Sequence, residues 1–120
     1  METIDLVAEP RSAGAARRFV ADHLRDRVPE GVSDVAVLLT SELVTNVIVH
    51  ARTSMRLEVE LDDDSVRVCI ADDVPRQPTL RPSHEARLTG RGMNLVASLA
   101  MQWGVEPSPP GKKVWFELSA

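Results

Sequence analysis

The chain is expected to fold as an α+β domain. The expected form is a two-layer α/β sandwich, with a mixed, mostly antiparallel sheet and helices on one face. Three patterns point there. Short stretches near both ends and in the middle alternate apolar and polar residues, the period of a half-buried strand. Two longer stretches repeat apolar residues at helical spacing. Tight turns join neighbouring strands, which makes those pairs antiparallel. With 120 residues and 43% apolar content, the chain suits one domain, residues 1–120, with a single core.

Ile4 and Leu6 alternate with polar neighbours and predict a short edge strand. Pro10-Arg11-Ser12 breaks that pattern, and Ser12 is a candidate helix N-cap. Ala16, Phe19, Val20 and Leu24 give the first helix an apolar face, and Pro29-Glu30-Gly31 is expected to end it. Ser33 is the candidate cap of a second helix running to His50 or Ala51. Leu57, Val59 and Leu61 alternate with Arg56, Glu58 and Glu60, then Asp62-Asp63-Asp64-Ser65 turns. Val66, Val68 and Ile70 return as the partner strand of a hairpin, which stops at Asp72-Asp73. Residues 74–90 hold Pro75, Pro78 and Pro82 and form a long loop, a type that often carries function. Gly90-Arg91-Gly92 closes it, and Met93, Val96, Leu99 and Ala100 predict a third helix with Leu95 beside the stripe. Trp103–Glu106 and Val114–Leu118 are the last two strands, joined by a Pro107–Gly111 turn.

Charge and cysteine usage exclude several classes. The net charge is −4 with both signs interspersed, unlike the basic footprint of a nucleic-acid binder, so no direct nucleic-acid contact is expected. Cys69 is the single cysteine, which rules out an internal disulfide and a cysteine metal cluster. No apolar run approaches the ~18 residues of a membrane span, and no signal peptide is visible. The expectation is a cytoplasmic protein with no membrane partner.

Four places carry candidate chemistry. On the second helix, Ala36, Val37, Thr40, Val44, Val47 and Ile48 fall on one arc, which should face the sheet. Glu42 and Asn46 fall on the other, among Val35, Leu38, Leu39 and Val49, so the helix reads as buried on both sides. Glu42, Asn46 and His50 are four residues apart and should stack on one face. Polar i,i+4 pairs are ordinary on helices. A carboxylate beside a carboxamide among apolar residues also suits Mg²⁺ with phosphate ligands, with Glu42 as general base. Asp72 ends a buried strand and can accept a hydrogen bond from an exocyclic amine, as adenine offers, or simply form a turn. Gly90 and Gly92 precede a helix, where backbone N–H groups can approach phosphates, with Arg91 adding charge. Gly111-Lys112-Lys113 precedes the last strand and is either a solvated turn or a source of a phosphate-facing lysine.

These four sites, in this order, resemble the histidine-kinase-like (GHKL) ATPase superfamily. Within it the chain looks like the small bacterial anti-sigma-factor serine/threonine kinases. Glu42–Ala51 is similar to the family's N-box, Asp72 to the adenine-contacting Asp, and Gly90-Arg91-Gly92-Met93 to the second glycine box at the end of the ATP lid. Trp103-Gly104-Val105 and the segment Gly111–Leu118 resemble its C-terminal strands. The resemblance implies a Bergerat-type sandwich that binds ATP and Mg²⁺. It implies Glu42 as catalytic base, Asn46 as metal ligand, and Asp72, Gly90, Arg91, Gly92, Met93 and Lys112 as cofactor-binding residues. It implies phosphoryl transfer to a STAS-type anti-anti-sigma partner, contact with a sigma factor, and a homodimer. Two departures stand out. Asp73-Val74-Pro75-Arg76 lacks the glycines that often follow the adenine-contacting Asp, and Lys113 stands where many relatives carry Thr. Both fall where nucleotide affinity is set. The alternative expectation is therefore a non-catalytic module of the same fold, with weak or lost ATP binding, that sequesters a sigma factor or its antagonist.

Overall fold

A computed structural model describes residues 1–74 and 94–120. In chain order the elements are β1 (Glu2–Leu6), α1 (Arg11–Leu24), α2 (Glu30–Asn46), a π-helical turn (Val47–Ala51), β2 (Met55–Leu61), β3 (Ser65–Asp72), α3 (94–99), β4 (Gln102–Ser108) and β5 (Gly111–Ser119). The five strands form one sheet in the order β1-β2-β3-β5-β4. All four of these pairings are antiparallel, so the expected mixed sheet is resolved toward its antiparallel form. The expectations for Gly90, Arg91, Gly92 and Met93, and for the three-proline loop, lie outside the described residues.

The alternation read from the sequence decides which face carries the helices. Leu57, Val59, Val66, Val68, Ile70, Phe116 and Leu118 point to one side and are buried. The opposite side is charged. There Arg56 pairs with Asp5 at 2.9 Å and Arg67 with Glu117 at 3.2 Å, while the Arg67 guanidinium lies 4.2 Å over the Trp115 ring. Gly104 is opposite Trp115 in the register, and a Cβ there would meet the indole at 2.8 Å. A side chain at 104 would therefore push the ring off the sheet.

On the apolar side, Ala36, Leu39, Thr40, Leu43, Val44 and Val47 of the second helical segment join Ala16, Val20 and Leu24 of α1 over the sheet. Val96 of α3 closes the same core. The continuous helix Glu30–Ala51 has the length and apolarity of a membrane span, which the run-length reading did not anticipate. Here one side of it, with Ala36, Leu39, Thr40, Leu43, Val44 and Val47, lines the core.

Several local expectations are corrected. Neither serine caps a helix: the N-cap positions are Pro10 and Pro29. The Ser12 hydroxyl instead donates to the Val7 carbonyl oxygen at 2.7 Å, tying α1 to the end of β1. Pro29-Glu30-Gly31 starts α2 rather than ending α1, because proline is suited to a helix start and Glu30 complements its dipole. The second helix is not buried all round. Leu39 and Leu43 meet the core beside α1, but Leu38 and Val49 face outward, 43% and 50% exposed. Leu99, placed in the core stripe of α3, is also exposed.

Candidate functional site

The site is set by where β3 stops. Asp72 is its last residue and pairs with Met55, the first residue of β2. Only Arg52-Thr53-Ser54 separates Met55 from the end of the long helical segment. Four chain steps reach at most about 14 Å, so the C-terminal end of that helix stands at the same end of the sheet as Asp72. The two loops are stitched together there. Ser54 Oγ donates to Asp73 Oδ2 at 2.9 Å, and the Asp73 N–H donates to Thr53 Oγ1 at 3.1 Å.

Asp72 is buried, at 3% exposure, on the helix-bearing face. A carboxylate so placed needs partners, and among the described residues it has three hydrogen bonds. Oδ1 accepts the backbone N–H of Val74 at 3.1 Å and that of Lys112 at 3.4 Å. Oδ2 accepts Lys112 Nζ at 2.6 Å. Gly111 makes the approach feasible, since a Cβ there would collide with the Asp72 carbonyl oxygen and stand 2.7 Å from Oδ1. Lys112, expected to face a phosphate, is thus seated on the residue expected to read adenine. Lys113 pairs with Ala71 in the register and points to the opposite face of the sheet, so the residue beside Asp72 is Lys112.

Glu42 and Asn46 lie on successive turns of α2, both half-buried, and neither is without a partner. Arg17 Nη1 donates to Ser41 Oγ at 3.1 Å and fixes α1 against this stretch. His50 follows Asn46 by four residues. It falls in the π-helical turn, where the i→i+5 pattern widens the helix and changes the angular step. The Arg52 N–H reaches back to the Val47 carbonyl oxygen at 2.7 Å, and Arg52 adopts a left-handed conformation with φ 58°. His50 is exposed in the last turn.

The donor set defines what could be held. Among the described residues, no group of three or more His, Cys, Asp or Glu could hold a metal ion. One carboxamide oxygen and a neighbouring carboxylate instead suit a magnesium ion that arrives with most of its ligands, as on a phosphate chain. In donor chemistry alone, Glu42 and Asn46 are compatible with a metal–nucleotide. Asp72, expected to read the base, is already paired with the chain's own lysine. The pairing of Asp72 with Lys112 was missed at the sequence level, although one signal was available. Val114, Phe116 and Leu118 face the core, and extending their period by two places Lys112 on that face.

The model of one family, described as "Histidine kinase-like ATPase domain", matches residues 6–118 of the chain. No curated protein matches it.

Proposed function

The chain belongs to the histidine kinase-like ATPase family, which implies nucleotide binding, and from that premise we propose that it is a regulatory serine/threonine protein kinase of the anti-sigma type. Its substrate would be a serine or threonine hydroxyl on a small STAS-type anti-anti-sigma protein. The observation that supports this reading is the buried strand-end carboxylate of Asp72, at the end of the sheet where the helix bearing Glu42 and Asn46 terminates.

The roles follow from the donor set. The Asn46 carboxamide oxygen would hold Mg²⁺, which would neutralise charge on the phosphates during transfer. Glu42 would take the proton from the attacking hydroxyl as its oxygen bonds to the γ-phosphorus and ADP leaves. Asp72 would accept the exocyclic amine of adenine, and Gly90, Arg91, Gly92 and Met93 would cover the phosphates.

A second reading is favoured by the Asp72–Lys112 pair. A base-reading carboxylate with an internal cation suits a module that holds its protein partner, a sigma factor or its antagonist, without turnover.

Calorimetry with ATP and Mg²⁺ separates the two. The kinase reading expects binding by the wild type and a loss of at least about tenfold in Asn46→Ala, as for a metal-shell ligand change. No binding by the wild type overturns it. Phosphate transfer to a STAS-type protein should fall in Glu42→Ala by about 10²–10⁴-fold, the usual contribution of a general base. Undiminished transfer removes Glu42 from the mechanism.

A further inference from the structure

Asp72 has a choice of partners, and the chain has already supplied one. Its side chain is 2% exposed, and among the described residues Oδ2 is paired with Lys112 Nζ at 2.6 Å. The lysine side chain is 34% exposed, so its ammonium has a route to water that the carboxylate lacks. We propose that Lys112 is an internal competitor of the nucleotide base: a purine amine reaches Asp72 only by displacing the lysine ammonium, so Lys112 lowers affinity for adenine nucleotides and weakens selection for the amine. This deepens the nucleotide reading above and rests on it.

The physical argument is an exchange of partners. An ammonium adds the attraction of opposite charges to its hydrogen bond with a carboxylate, and a neutral exocyclic N–H does not. Replacing the ammonium by an exocyclic N–H therefore weakens the bond at Oδ2, while the released ammonium is rehydrated at its partly exposed position. The two backbone donors on Oδ1, from Val74 and Lys112, need not move. The carboxylate stays oriented while one partner is swapped. Gly111 keeps the β5 backbone against Asp72, so the lysine's return is local and intramolecular. Lys113 cannot substitute, because it projects from the other face of the sheet.

The test is calorimetry with Mg²⁺ and either ATP or purine riboside triphosphate, which lacks the exocyclic amine, on wild type, Lys112→Met and Lys112→Gln. Methionine keeps the apolar stem and removes the charge. The expected result is ATP binding about tenfold tighter in Lys112→Met, the order of one hydrogen bond gained by a charged group. The preference for ATP over the amine-free analogue should rise with it. A change in nonspecific charge attraction would move both nucleotides alike and would overturn the proposal. Equal or weaker ATP binding by a folded Lys112→Met also overturns it, and leaves the nucleotide reading standing if the wild type binds. Absence of binding in all three proteins removes both. Should methionine prevent folding, glutamine retains a neutral donor for Oδ2, and the same rise in amine preference is required of it.

Discussion

Cys69 shows how strongly one position is governed by its neighbours. It lies on β3 between Glu58 and Trp115 in the register, on the charged side of the sheet, yet it is only 8% exposed. Burial pushes its thiol up to about 11, partly offset by Lys113. The folded state therefore retains the proton after the unfolded chain has lost it. This contribution to stability is complete below the ordinary thiol range and is lost as pH rises toward about 11. Urea unfolding at pH 8 and pH 10.5 should show a smaller alkaline loss in Cys69→Ala than in the wild type. An equal loss would contradict the burial effect. The same strand ends at Asp72, whose polar character after an apolar run was legible in the sequence. Its partner was not, because Lys112 is forty positions away and is brought close only by the β3–β5 register. The chemistry of a strand-end carboxylate can be read locally, but what satisfies it depends on strand order.

At the scale of elements, strand alternation survives folding well because one face of the sheet is apolar and a slip of one residue would expose it. Helix starts were read less well. Ser12 and Ser33 have the right chemistry for caps, but a proline two to four residues earlier begins each helix, and the Ser12 hydroxyl is used on Val7. The end of the long helix was placed correctly near Ala51, whereas its π-helical character had no local signature in Val47-Ile48-Val49-His50-Ala51. That turn carries His50. It closes on Arg52 at φ 58° and ψ 31°, a left-handed conformation that disfavours any side chain with a Cβ. Arg52→Gly should therefore raise stability by about 0.5–1 kcal/mol, the strain relieved less the extra freedom of unfolded glycine. Among the described residues, the side-chain bond lost, from Arg52 Nε to the Val49 carbonyl oxygen at 3.3 Å, is exposed and long. A lower urea midpoint in the variant would show that the arginine side chain outweighs the backbone cost.

For the molecule as a whole, the question is whether the site rests on one core or two. The apolar cluster runs without interruption from Leu6 through both long helices and β2–β3 to Val96, Phe116 and Leu118. Phe116 is fully buried and faces Val68 on one side and Trp103 on the other, so it joins β4 and β5 to the rest of the sheet. Truncating such a side chain costs about 3–5 kcal/mol. Whole domains are stable by roughly 5–15 kcal/mol, so Phe116→Ala should lose a large share of the total. Both tryptophans, Trp103 and Trp115, lie on β4 and β5, so fluorescence reports this edge while far-ultraviolet dichroism is dominated by the helices. If a single core supports both, the two signals change together in urea for the wild type, and Phe116→Ala moves both midpoints down by the same amount. Fluorescence that changes ahead of dichroism in the variant would mean that β4–β5 can separate. Lys112 would then leave Asp72 by local opening of the sheet edge, not by side-chain exchange alone. Coincident transitions make the edge part of the cooperative unit and confine partner exchange at Asp72 to the lysine side chain.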